Sequence, residues 1–426
     1  MKVALVHDYL NEFGGAERVL EALCEIFPKA PIYTAFYKKG SPAHLRFKNK
    51  KIITSWAQNV PFFASYLHSP LRFLAPLVWN SFVHQSSTLR AQTPNGLAEY
   101  DLVITSSSWY VTKGVVKRNA ANDKRKTLEI CYCHTPPRYL YGYPTAKKQR
   151  GFLVKAYALV VNHFMRVYDF EAAQRVDYFI ANSREVSSRI KKFYRRDSKV
   201  IYPPVDIGRF ARKTTNAKRL TQEKALDVSH SSLGDYFLIV SRLVSAKRVD
   251  LAVEVCAKLG LPLKVVGTGP EMENLKDLAN RLQTTVYRKK ELVDRRLSTV
   301  DFLGEVDDKT LIKLYQNCRA VIFPAEYEDF GIVPVEAMAC GKPVIALAQG
   351  GVLESVIDAI PAGKGKGTGV YFDPATSGSL TLAINNFMDL EKKGYFNPSF
   401  IRKHAQKFSK VRFKREILRF VEGKVK

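Results

Sequence analysis

Short apolar strands alternate with amphipathic helices along this chain, and the alternation runs through once and then starts again. In the first half, Lys2–His7 reads as a strand and is followed by a helix from about Gly15 to Phe27. Later strands fall at Leu102–Ser106, Leu128–Cys133 and Tyr178–Ala181. The pattern restarts after Tyr202-Pro203-Pro204-Val205-Asp206, where two prolines end a strand and the polar, Lys-rich segment Gly208–Gly234 reads as a linker. The second series of strands is Tyr236–Val240, Leu263–Val266, Val300–Leu303, Ala320–Phe323 and Pro343–Ala346, with helices such as Val249–Leu259 and Leu311–Asn317 between them. Strands joined through helices form parallel sheets covered on both faces. The expected fold class is therefore α/β, with two doubly wound domains, residues 1–206 and 207–404. A ligand of such domains binds beyond the carboxyl ends of the strands, in the cleft that two of them form. Two loops look long and basic, Thr284–Thr299 and Ala362–Gly369.

Composition narrows the class further. At 426 residues, 46% hydrophobic and 25% charged, the chain is a globular protein and neither disordered, collagen-like nor a disulfide scaffold. Its six cysteines (Cys24, Cys131, Cys133, Cys256, Cys318, Cys340) are sparse and sit in apolar contexts, which predicts buried, reduced thiols and a cytoplasmic setting. The opening strand is too polar for a signal peptide. The longest apolar runs, near Phe152–Val161 and Phe62–Val78, are broken by Lys155, His68, Pro70 and Arg72. Neither spans a bilayer, which takes about 20 residues, although the chain can lie on one. The net charge of +27 points to an anionic partner. Residues 26–98 contain no acidic residue, yet hold Lys29, Lys38, Lys39, Arg46, Lys48, Lys50, Lys51, Arg72 and Arg90 among Trp56, Phe62, Phe63, Tyr66, Phe73 and Trp79. Cations among exposed-looking aromatics suit an anionic membrane surface, nucleic acid or an ordinary solvated face. No helix-turn-helix, RNP or zinc-finger pattern supports specific nucleic-acid binding.

The densest constellation of candidate residues is the stretch from Phe323 to Gly341. A strand ends in a proline and a loop carrying Glu328, and a helix is expected to start near Pro334, with Glu336 in its first turn. A helix start presents free N–H groups to a diphosphate, and carboxylates beside it can hold sugar hydroxyls. The same residues also suit a plain helix start with a solvated loop glutamate. Arg242 and Lys247 follow the Tyr236–Val240 strand, as cations for a diphosphate would. Gly14-Gly15 opens the first helix, where glycines permit close approach of a phosphate. The turn Val266-Gly267-Thr268-Gly269 does not fit a dinucleotide-binding fingerprint. Cys131-Tyr132-Cys133-His134 invites a metal reading, but no second Cys/His pair lies at zinc spacing.

Glu328 and Glu336 stand in an E-x7-E arrangement within Phe330-Gly331-Ile332-Val333-Pro334-Val335-Glu336-Ala337, which resembles the signature of GT-B glycosyltransferases of family 4. Ser241–Asp250, Phe13–Glu17, the His134-Thr135-Pro136 run, Tyr202–Asp206 and Gly350–Glu354 resemble that family's other segments in order. The likeness covers nearly the whole chain and is nearest to its O-antigen mannosyltransferase-like branch. It implies a GT-B fold of two Rossmann-like domains, with 405–426 returning to the first. It also implies a retaining, metal-independent hexosyltransferase that uses a nucleotide-diphospho-sugar and no cofactor, with GDP-mannose favoured and a UDP-sugar as the second choice. Arg242, Lys247, Gly14 and Gly15 would then meet the diphosphate, and Phe330, Gly331, Ile332 and Val333 would line the donor. Glu336 would bind the ribose, and Glu328 and His134 the sugar. The acceptor would be a saccharide or lipid-linked saccharide for cell-surface polysaccharide, reached from the cytoplasm or from a peripheral position on the membrane face. Two alternatives compete, a non-enzymatic polyanion- or nucleic-acid-binding protein and a sugar-nucleotide epimerase on the same architecture.

Overall fold

The computed structural model describes residues 1–82, 96–116, 127–145, 151–211, 234–289 and 300–425. The chain divides into two compact units, Met1–Pro204 with Lys410–Lys426, and Val205–Ser409.

The first unit is built on seven parallel strands: β1 (Val3–His7), β2 (Ile32–Thr34), β3 (Ile52–Thr54), β4 (Leu102–Ser107), β5 (Leu128–Cys133), β6 (Tyr178–Ala181) and β7 (Ser198–Val200). Their order is β3-β2-β1-β4-β5-β6-β7, so the winding direction reverses between β1 and β4. β4 is buried along its whole length, as a strand covered on both faces must be. The three-residue strands β2, β3 and β7 were not among the expected strands; runs that short carry no readable alternation. The helix Gly15–Ile26 lays Val19, Leu20 and Leu23 on one face of the sheet. The helix Lys410–Glu422 adds Phe413, Ile417 and Val421 to the same core, and its Lys410 and Lys414 pair with Glu25. Two aromatics of the acid-free stretch correct the expected exposure: Phe63 and Trp79 belong to the core, whereas Phe62 and Tyr66 stand in solvent. Arg72 is also buried, its guanidinium held by Ser69 O and Asn162.

The second unit has six parallel strands: β8 (Phe237–Val240), β9 (Leu263–Val266), β10 (Val300–Gly304), β11 (Ala320–Phe323), β12 (Val344–Leu347) and β13 (Gly369–Phe372). Their order is β10-β9-β8-β11-β12-β13, with the reversal between β8 and β11. β13 was missed because its first residue closes a glycine-rich stretch that reads as loop. The helix Val249–Leu259 packs Leu251, Val255 and Cys256 into the core. The helix Met272–Lys289 corrects the expected Thr284–Thr299 loop, since the helix runs through its first six residues; 290–299 lie outside the described residues. The helix Asp308–Asn317 starts three residues before Leu311, and Asp307 caps it by accepting the Thr310 N–H at 2.7 Å.

All six cysteines are free and buried. Among the described residues, no helix is long and apolar enough to cross a membrane.

Candidate functional site

In the second unit, the candidate residues gather where the sheet reverses, beyond the carboxyl ends of β8 and β11. Doubly wound sheets bind ligands at such a switch point, because adjacent loops there diverge to opposite faces and leave a crevice. Lys247 reaches from the β8 loop to the Glu328 carboxylate on the β11 loop. Beside them, Arg248 donates to Glu326 Oε1 at 2.8 Å and to Asp250, and the Glu326 N–H donates to Ala246 O at 3.0 Å. The two loops are thus laced by main chain and side chains alike. Arg242, two residues beyond the end of β8, is exposed.

Glycines set how closely these loops approach their neighbours. Gly350 has φ +74°, and a Cβ there would lie 2.3 Å from Glu328 O. The adjacent Gly351 N–H donates to that oxygen at 2.8 Å. Gly267 accounts for the turn that matched no dinucleotide fingerprint: a Cβ on it would sit 1.8 Å from Ser241 O, so a glycine lets the loop carrying Arg242 lie against the end of β9.

The helix after the E-x7-E loop is Ile332–Ala339, and two expectations about it need correction. It starts two residues before Pro334. Pro334 is its third residue, where a missing N–H costs nothing because the first four N–H groups have no intrahelical partner. Glu336 is its fifth residue and lies in the second turn, not the first. A favourable charge at a helix start therefore does not explain it. Glu336 is 2% exposed, and its Oε2 accepts a hydrogen bond from the equally buried Tyr315 at 2.9 Å. Gly331 caps the helix, Ile332 and Val333 are its half-buried first residues, and Phe330 is buried against Phe408 with ring centroids 5.5 Å apart.

The first unit carries its own polar cluster beyond β1, β4 and β5. His134, 8% exposed at the end of β5, is hydrogen-bonded through Nε2 to Ser106 Oγ at 2.8 Å. Ser106 is bonded to His7 Nδ1 at 3.0 Å, and His7 Nε2 lies 3.4 Å from Glu17. Glu17 accepts the Gly14 N–H at 2.8 Å, so the Gly14-Gly15 turn is tied to the same chain of contacts. Burial, reinforced by the neighbouring His7, pushes the His134 pKa down to about 4, and the ring is neutral near pH 7. Burial also pushes the Glu17 carboxyl up, but the His7 bond and the Gly14 N–H outweigh it and leave it below the usual range. Next door, Asp8 is spent on structure: it accepts from Ser108, Trp109, Tyr110 and Thr112 and so fixes the loop after β4. Burial pushes the Cys131 thiol up to about 12, far from the thiolate a metal would take.

Residue patterns alone did not single out His7, Ser106, Glu17 or Tyr315. His7 and Ser106 are 99 positions apart, and Tyr315 and Glu336 are 21 apart on different elements. Only Glu17, three residues after Gly14, had a local signal, the capping-box spacing.

Residues 229–396 match the family described as Glycosyl transferases group 1. An uncharacterized glycosyltransferase of Methanocaldococcus jannaschii is 27% identical over 45% of this chain and 44% of its own length. An alpha-1,3/1,6-mannosyltransferase of Candida glabrata is 24% identical over 84% of this chain and 78% of its own. The first two curated relatives are covered over only about half their length, 44% and 55%. The Anabaena protein HepE, solved in complex with UDP, superposes with a TM-score of 0.66 at 20% identity, over 99% of this chain and 100% of that one. The α/β architecture of two parallel sheets is that of GT-B glycosyltransferase structures.

Proposed function

We propose that this chain, whose residues 229–396 match the glycosyl transferases group 1 family, is a retaining, metal-independent hexosyltransferase that uses a nucleotide-diphospho-sugar. The observation that carries the proposal is the meeting of Lys247 with Glu328 at the β8/β11 switch point, on the loop that leads into the helix carrying Glu336 of the buried Tyr315–Glu336 pair. A binding face for a sugar nucleotide needs cations for the diphosphate and carboxylates for hydroxyls, and these loops hold both.

In this reading, Arg242 and Lys247 stabilise the charge that develops on the leaving diphosphate, aided by the N–H groups at Gly331–Val333. A phosphate beside Lys247 competes with Glu328 for the ammonium and turns Glu328 towards the sugar. Glu336, withdrawn from water, gains from ribose hydroxyls delivered to it, because a buried acceptor is stabilised by each donor it receives. Tyr315 holds the orientation of that carboxylate. The bond from the anomeric carbon to the diphosphate breaks and the acceptor oxygen bonds to the same face. The acceptor proton passes to the departing phosphate oxygen. His134, uncharged near pH 7, contributes a directed hydrogen bond to the sugar, and Gly14-Gly15 meets the diphosphate. No cofactor takes part. GDP-mannose is the favoured donor, in keeping with the mannosyltransferase names among the relatives. A UDP-sugar is the second choice, in keeping with the UDP-bound Anabaena structure. The acceptor is a saccharide or lipid-linked saccharide on the cytoplasmic side.

The test is thermal shift with calorimetry against GDP, UDP, ADP and their common sugar conjugates, on the wild type and Glu336→Ala. At 100 times its dissociation constant, the right nucleotide stabilises by about 2.7 kcal/mol. The shift should be selective for one base and lost in Glu336→Ala. No shift with any of them, together with salt-sensitive binding to any polyanion, would replace this reading with the polyanion-binding one that the +27 charge also suits.

A further inference from the structure

The polar chain of the first unit holds too few protons for its members to be arranged freely. The buried Ser106 Oγ lies 3.0 Å from His7 Nδ1 and 2.8 Å from His134 Nε2, two nitrogens that share one hydroxyl proton. His7 Nε2 lies 3.4 Å from Glu17 Oε1, and Glu17 Oε2 accepts the Gly14 N–H at 2.8 Å. His134 Nδ1 makes no hydrogen bond among the described residues. Burial pushes the Glu17 carboxyl up, but the His7 bond and the Gly14 N–H hold it below the usual range, so it is ionised near pH 7. An ionised carboxylate only accepts, and His7 therefore presents Nε2–H to it. A neutral imidazole carries one proton, which leaves His7 Nδ1 bare. Ser106 gives its proton to that nitrogen, and its oxygen accepts in turn from His134 Nε2–H. His134, kept neutral by burial, is left with a bare Nδ1.

We propose that Glu17, acting through His7 and Ser106, selects the ring nitrogen of His134 that carries the proton and makes His134 Nδ1 a hydrogen-bond acceptor. Glu17, His7 and Ser106 are then positioning residues, and they act on direction as well as on place. A bare Nδ1 takes a hydroxyl donor and rejects a phosphate, carboxylate or ether oxygen, since two acceptors set face to face both go without a proton. That the hydroxyl belongs to the donor sugar rests on the function proposed above; the proton arrangement does not.

Glu17→Gln is the deciding substitution. The Gly14 N–H still calls for an acceptor, so the amide oxygen goes to it and the amide NH2 turns to His7. The whole chain then reverses. His7 accepts at Nε2 and donates from Nδ1, Ser106 passes its proton to His134 Nε2, and His134 carries its own proton on Nδ1. Nitrogen-15 NMR of the full chain with labelled histidines reports which nitrogen of each ring is protonated; at pH 8 an ordinary imidazole is neutral. The signals lost in His134→Gln are those of His134. The wild type should show Nε2–H and Glu17→Gln Nδ1–H. Ser106→Ala cuts the link and leaves Nε2–H without an acceptor, so it should admit the Nδ1–H form by itself and make Glu17→Gln silent at His134. A folded Glu17→Gln chain that keeps Nε2–H overturns the proposal. So does a wild type with Nδ1–H, a Ser106→Ala chain confined to Nε2–H, or a reversal that survives Ser106→Ala. With ligand, Glu17→Gln should cut the advantage of the sugar nucleotide over the bare nucleotide about fivefold, the worth of one hydrogen bond. A reversed tautomer in a chain that no nucleotide stabilises would uphold the hydrogen-bond chain and sink the donor reading alone.

Discussion

Replacing His134 with glutamine should relieve the first unit of a specific acid sensitivity. In the folded unit, burial and the adjacent His7 hold the imidazole at a pKa of about 4, against 6.5 for an unperturbed ring. Between those values the unfolded chain binds a proton that the folded unit refuses, so stability falls as pH drops through the window. From pH 7.5 to pH 5 the loss comes to about 2 kcal/mol, most of what the shift allows. Other groups titrate too. Burial raises the Glu129 carboxyl to about 7, which works in the opposite direction by destabilising the unit as pH rises. The Glu17 carboxyl is held below its ordinary range, beneath most of the window. The quantity to measure is therefore a difference of differences, the pH 7.5 to pH 5 loss in wild type minus that in His134→Gln. The three tryptophans, Trp56, Trp79 and Trp109, all lie in the first unit, so tryptophan emission in urea follows its unfolding alone. A residual of about 2 kcal/mol corresponds to a midpoint shift of about 1 M urea. If His134→Gln loses as much stability at pH 5 as the wild type does, the ring is not buried in its neutral form and the argument is wrong.

Further outcomes follow from other contacts. Lys113 and Asp169 form a buried pair, so Lys113→Met or Asp169→Leu alone should cost about 3–5 kcal/mol, by stranding the remaining charge, while the Lys113→Met/Asp169→Leu double variant should cost far less than the sum. Additive costs in urea titrations would refute the pairing. Gly350→Ala should push the Glu328 loop aside and abolish the nucleotide-induced thermal shift. Gly260→Ala, at φ +69° with nothing within 4 Å of its added Cβ, should cost about 1 kcal/mol through strain and leave that shift intact. Equal behaviour of the two would show that close approach at Gly350 does not matter.

Local pattern carried most of the architecture. β6 and β11 fall where continuous apolar runs place them, as strands covered on both faces do, and β5 and β9 stay readable although each carries one charged residue, Glu129 and Lys264. The three-residue strands β2, β3 and β7 escaped, since they are held by their neighbours in the sheet and not by their own alternation. The helix start near Pro334 was misjudged by two residues because proline is tolerated at any position whose N–H is already unpartnered. The exposure of Phe63 and Trp79 was misjudged because an irregular segment has no period from which to read which side faces inward. Among the candidate residues, those on one stretch, such as Glu328 and Glu336, carry a readable spacing. The contacts His7–Ser106–His134 and Tyr315–Glu336 join elements that only the topology brings together, and no spacing rule reports them.

The first unit is written in two pieces, with Val205–Ser409 between them. On a ribosome, Met1–Pro204 emerges long before the helix that completes its core with Phe413, Ile417 and Val421. At ordinary elongation rates of about 5–20 residues per second, that wait is on the order of 10–40 seconds, during which the uninterrupted second unit can already fold. The earlier-made half of the chain is thus the later one to close. Its nascent form shows an unfinished sheet face in addition to the outward leucines and phenylalanines of Phe152–Arg175, a strong binding signal for holdase chaperones. A stop codon near residue 409 would therefore damage the part of the molecule made first.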